Sequence, residues 1–124
     1  MAEHLIRLRA AWRIEGASPG RLDLPTAWPD PLDGPGILIL SRRFGRPRID
    51  PAVETLVLRL EDVPGLRVVR LNGRELARPA PGVTALEVSP AGPLPGTNQL
   101  VLELDPAAAG PGPWGTIALV IRPS

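Results

Sequence analysis

The chain has no cysteine, no lysine and no tyrosine, and a single histidine, methionine and phenylalanine among its 124 residues. Without cysteine there is neither a disulfide framework nor a thiolate zinc site. No compartment follows from this, since secreted proteins can also lack cysteine. Without lysine, all 14 basic residues are arginine. Beside so much Ala, Gly and Pro, that usage reads as the coding bias of a GC-rich gene. The arginines are interspersed with 13 acids for a formal net charge of +1, which leaves no electrostatic footprint for nucleic acid or an anionic membrane. No apolar run approaches the ~20 residues needed to cross a bilayer as a helix. The start, Met1-Ala2-Glu3-His4-Leu5, lacks the basic and apolar segments of a signal peptide, so the chain as written is expected to be cytoplasmic. His4 has no serine or cysteine nucleophile set up beside it and is expected as a solvated terminal residue.

What the chain has is alternation and punctuation. Apolar residues make up 44%, with 17 Pro and 13 Gly. So much Pro and Gly raises the question of disorder. Here they cluster between alternating apolar runs, the mark of one turn-rich all-β domain over residues 1–124. Leu56, Leu58 and Leu60 alternate with Val57, Arg59 and Glu61, and Leu100, Leu102 and Leu104 repeat the pattern. Asn72-Gly73 between two such runs predicts a hairpin, because a type I′ turn needs positive φ at both central residues.

Ile6, Leu8, Ala10, Trp12 and Ile14 place one apolar face on a single first strand, with arginines on the other. Arg21–Trp28 is extended but broken by Pro25, hence an edge strand or the approach to a loop. A loop over 29–36 precedes a strand at Gly36–Phe44 whose first half is apolar on both faces, as for an interior strand. Further strands are expected at 55–61, 66–71, 74–77, 83–88, 98–104 and 115–122, with single helical turns near Asp50–Glu54 or Asp105–Ala109 at most. Short strands at this spacing specify an antiparallel sandwich or barrel.

Several segments, taken in order, resemble a known family. They are Leu24-Pro25-Thr26-Ala27-Trp28; the strand ending Ser41-Arg42-Arg43-Phe44; Leu56 to Gly73 with its acidic turn Glu61-Asp62-Val63; Gly96-Thr97-Asn98-Gln99-Leu100; and Gly112-Pro113-Trp114-Gly115-Thr116. Together they are similar to the N-terminal sugar-binding domain of glycoside hydrolase family 2, a jelly roll of the galactose-binding-domain-like superfamily. The resemblance implies an antiparallel β-sandwich. In that family the catalytic glutamates lie on a separate barrel domain, and retaining glycosidases need two carboxyl groups ~5 Å apart in a shaped cleft. These 124 residues contain no barrel, so the resemblance implies a non-catalytic carbohydrate-binding or accessory module, with no cofactor.

The candidate ligand contacts are Trp28, Arg42, Arg43 and Trp114. Trp12 falls on an apolar face and is expected in the core. Trp28 and Trp114 sit in Pro-flanked segments, where an indole either stacks on a sugar ring or plugs an end of the sandwich. Arg42 and Arg43 have forked donors for a carboxylate or sugar hydroxyl, with Glu54 or Asp62 as competing surface partners. Superfamily members often hold a structural calcium, and Asp30 and Asp33 are the acids placed for it. Calcium needs six to eight oxygens, so the two are read as turn residues and no metal is expected. Gly34-Pro35-Gly36 precedes no helix and cradles no phosphate. Val57, Val68, Ala85, Val101, Ala118 and Val120 fall on outward faces, unusually apolar for solvent. Their pattern suggests a second function class, a structural or interaction domain that pairs with a partner domain or with its own copy through a sheet face.

Overall fold

The computed structural model describes residues 3–15, 20–24, 37–90, 92–105 and 113–123. Ten strands follow in order: β1 His4–Arg7, β2 Trp12–Glu15, β3 Gly20–Leu22, β4 Leu38–Gly45, β5 Glu54–Glu61, β6 Leu66–Leu71, β7 Arg74–Ala77, β8 Leu86–Val88, β9 Thr97–Leu104 and β10 Thr116–Pro123. They form a four-stranded sheet, β1-β10-β5-β8, and a six-stranded sheet, β3-β2-β4-β9-β6-β7. Every pairing is antiparallel. The all-β sandwich expected from the alternation is therefore the fold. Among the described residues no helix is long and apolar enough to cross a membrane.

The core lies between the sheets. Leu56, Leu58 and Leu60 of β5 and Ile117, Leu119 and Ile121 of β10 share one buried cluster with Leu38, Leu40 and Phe44 of β4, Val69 and Leu71 of β6, and Leu100, Leu102 and Leu104 of β9. Each set occupies alternate positions, as one face of a pleated strand requires. β4 lies between β2 and β9, the interior position its apolar first half predicts. The Asn72-Gly73 hairpin joins β6 to β7 with φ of 54° and 82°, the signs of a type I′ turn.

The single first strand is corrected by the structure. Residues 4–7 pair with β10 in one sheet, and residues 12–15 pair with β3 and β4 in the other. The chain changes sheets over Leu8–Ala11. The Leu8 amide still donates to Ile117 O at 2.8 Å, and Arg9 O already accepts from Leu24 N at 2.7 Å. Ala10 is exposed and Ala11 adopts φ of 66°. Alternation survives the crossing because the inner faces of both sheets look into one core; periodicity alone does not say which sheet a residue belongs to.

One smaller difference is local, and one local expectation is met. The strand expected at 83–88 shortens to Leu86–Val88, since Val83 N closes a turn onto Ala80 O and Thr84 O accepts from Val63 N. The turn at Asp50–Glu54 is present, with the amides of Val53 and Glu54 both donating to Asp50 O.

The outward faces depart most from expectation. Val57, Val68, Ala118 and Val120 are all buried, at 7%, 2%, 5% and 0% exposure, and Val101 is half-buried; only Ala85 is exposed. For Val57, Ala118 and Val120, register gives the reason. On the outer face of the four-stranded sheet, Leu5, Val120 and Val57 form one rung, flanked by the rung of Ala118, Arg59 and Glu87 on one side and that of Arg122 and Thr55 on the other. Glu3 lies two residues before Leu5, on the Arg122 side. Arg122 bonds Glu87 at 2.8 Å and Arg59 bonds Glu3 at 2.9 Å. Each arginine must cross the valine rung to reach its partner, in opposite directions. Their aliphatic stems thus lie over the valines.

Candidate functional site

An open pocket of about 1080 Å³ occupies one end of the sandwich. Its walls are the β4–β5 connection, the first residues of β5 and the β8–β9 connection. Arg46 joins the two connections: its amide donates to Gly96 O at 3.1 Å and its guanidinium to Leu94 O at 3.3 Å. Pro47, Pro51, Pro90 and Pro93 line the space beside Ile49, Leu56 and Leu94. Prolines suit such walls because they offer no N–H that would need a partner. Leu94 is buried and Ile49 packs against the core, so the floor is continuous with the sandwich interior.

The polar groups sit around this apolar floor. Glu54 accepts the Asp50 amide at 2.8 Å. Thr55 and Arg48 are exposed lining residues. Mostly apolar walls with a few polar groups are the usual composition of a small-ligand site, and the volume is at the upper end of that class.

The sequence-predicted contacts that the structure describes, Arg42, Arg43 and Trp114, lie elsewhere. Trp28 is outside the described residues, as are Asp30 and Asp33. Trp114 is 2% exposed and belongs to the core cluster. It is seated by the next residue: Gly115 has φ of 90°, its amide donates to Asp62 O at 2.7 Å, and a Cβ there would come within 3.0 Å of Leu24. Arg42 and Arg43 are neighbours on β4 and so point to opposite faces of its sheet. Arg42 is half-buried and donates to Ala10 O at 2.7 Å and to Arg43 O at 3.2 Å. The expected pairing of Arg42 with Glu54 or Asp62 is thus replaced by backbone carbonyls, because the sheet crossing at Ala10 passes beside it. Burial pushes the Arg42 guanidinium below its ordinary pKa. Arg43 is exposed on the outer face. Arg42, Arg43 and Trp114 are not among the residues lining the pocket. Its signal in sequence is only that two connections are both rich in proline; that they meet is a tertiary fact.

Several of the remaining charged groups are engaged with one another. Arg59 bonds Glu87 at 2.7 Å and Arg122 bonds Glu3 at 2.8 Å, which closes the four-residue ring over the valine rung. Hydrogen bonds from Arg122 and then Arg59 hold the Glu87 carboxyl below its ordinary range. The same ring raises both arginines, Arg59 chiefly through Glu3 and Arg122 chiefly through Glu87. On the six-stranded sheet, Arg70 and Glu103 pair at 3.1 Å, and Ser41 Oγ donates to Glu15 at 2.7 Å. Arg70–Glu103 and Ser41–Glu15 each link adjacent strands. Among the described residues no group of three or more metal-ligating side chains occurs.

No family model and no curated protein matches the sequence. Solved structures match the fold. A β-glucuronidase from an uncultured Clostridium sp. superposes with a TM-score of 0.76 over 99% of this chain at 18% identity. That of Bifidobacterium dentium, complexed with coumarin-3-O-glucuronide, gives 0.76 over 98% at 16%. A putative β-galactosidase from Bacteroides fragilis gives 0.71 over 98% at 15%. The likeness is one of fold. This chain spans 30%, 30% and 23% of those three chains. The β-sandwich implied by the sequence resemblance is thus the one these glycosidases contain.

Proposed function

We propose that the chain is a non-catalytic accessory module of the carbohydrate-active type that binds sugar in the pocket between its β4–β5 and β8–β9 connections. The carrying observation is the composition of that pocket: an apolar floor of prolines and leucines beneath Arg46, Arg48, Glu54 and Thr55. A pyranose has the complementary surfaces, C–H faces that cover apolar groups and hydroxyls that bond to charged ones. The fold shared with glycosidases supports the assignment. The pocket is open and among the described residues no aromatic ring lines it, so affinity is expected on the order of millimolar.

The test is an NMR titration of the isotope-labelled protein with galactosides and glucuronides. Amides of Arg48, Ile49 and Thr55 should shift in a saturable way, and Arg48→Ala should weaken the response. Silence of these amides at saturating sugar would end the carbohydrate reading. One observation favours a second reading, docking of a partner protein or a second copy: Val53 is 55% exposed in the turn beside the pocket. Light scattering showing concentration-dependent mass that Val53→Asp abolishes would support it.

A further inference from the structure

Asn72-Gly73 sets the turn, but it also carries chemistry. An asparagine followed by glycine is the sequence most open to self-modification. The Gly73 backbone nitrogen attacks Asn72 Cγ, a C–N bond forms, the Cγ–Nδ2 bond breaks and ammonia leaves. Water then opens the resulting succinimide to aspartate or isoaspartate. A Cβ at Gly73 would meet no atom within 4 Å, so glycine stands there for its φ of 82° rather than for lack of space. The reaction needs the Asn72 carboxamide to turn freely toward the Gly73 nitrogen.

In the folded chain that carboxamide is held at both ends. Its Oδ1 accepts the Gln99 amide at 2.8 Å, and its Nδ2 donates to Asn98 Oδ1 at 2.9 Å. Asn98 is itself fixed. It is 1% exposed, and its Nδ2 donates to Pro95 O at 3.0 Å. It cannot rotate its amide without surrendering that bond. The Asn72 amide also donates to Gln99 O at 2.9 Å, so the turn is tied to β9 by main chain and side chain alike. Conversion of Asn72 to aspartate would remove the Nδ2 donor and bring an acceptor against an acceptor. Isoaspartate would lengthen the backbone of a two-residue turn.

We propose that Asn72 is a latent deamidation site and that Asn98 guards it, so that the site reacts only when β9 and the β6–β7 hairpin separate. The reaction would then be irreversible in structure as well as in chemistry, because neither product restores the clamp.

The experiment is incubation in mildly alkaline buffer, with peptide mass spectrometry reading deamidation at Asn72. The folded chain should react about tenfold or more slowly than the same chain in urea, the scale expected when one or two hydrogen bonds must break first. Asn98→Ala, with its fold verified by circular dichroism, should react severalfold faster than the wild type. Should Asn98→Ala not fold, Asn98→Ser takes its place, since its shorter side chain does not reach Asn72, and the same acceleration is expected. The proposal is overturned by a folded wild type that reacts at the unfolded rate. A folded Ala or Ser variant that reacts no faster than the wild type overturns it equally.

Discussion

Leu119 and Val120 are neighbours on β10, point to opposite faces of one sheet, and are 3% and 0% exposed. Equal burial has unequal causes. Leu119 is covered by the second sheet, whose leucines are there because every strand alternates. Val120 is covered by Arg59 and Arg122, which reach across the valine rung to Glu3 just before edge strand β1 and to Glu87 on edge strand β8. The first kind of cover is apolar packing, indifferent to salt and pH. The second depends on charge, and it needs four side chains, three on β5, β8 and β10 and one just before β1. An apolar outer face therefore does not by itself mark an interface, since long charged side chains from the neighbouring strands can close over it.

The largest effect should come from the packed side. Leu102, with 0% exposure between the sheets, should lose about 3–4 kcal/mol on truncation to Ala, the scale of a cavity in a core that relaxes little. Urea unfolding would read it. Val120→Ala on the other face should cost about 1.5 kcal/mol, the transfer value of the two carbons removed, because the arginine stems above it can settle into the space. A loss as large as that at Leu102 would show the outer cover to be as rigid as the core.

Glu87→Gln should destabilise less than Val120→Ala, since these ion pairs are partly solvated and such pairs contribute little. Its effect should shrink in high salt, where screening weakens charges in water, while that of Leu102→Ala persists. The same residue predicts a pH dependence. The folded pKa of Glu87 lies below its unfolded value, so its contribution is full above the unfolded carboxylate pKa of about 4.3. It is lost as pH falls through the lower folded value. Denaturation midpoints measured down through that window should fall in the wild type more steeply than in Glu87→Gln. Parallel curves would mean that the ring contributes nothing.

Much of the inner face was legible in the sequence. Leu56, Leu58 and Leu60 and their counterparts on β9 announce their faces by period alone, and Asn72-Gly73 announces its turn by backbone sterics. Leu8–Trp12 was misread as one strand with Ile6 and Ile14, because a single core imposes one alternation on both sheets. The outer face was legible only in part. Val57, Ala118 and Val120 were assigned to the correct face, but not their cover, for no local pattern relates Glu3 to Arg59 or Glu87 to Arg122.

By itself the sequence determined the all-β class, the strand register around its hairpin and the apolar face of most strands, because these follow from φ preferences and a two-residue period that act over a few residues. Only the tertiary structure decided that residues 8–11 change sheets and that Arg46 closes a pocket with Leu94. It alone decided, too, that Asn72 and Asn98, 26 residues apart, form one clamp. Those facts rest on which distant segments meet, and a contact between strands is set by the packing of the whole sandwich rather than by either segment alone.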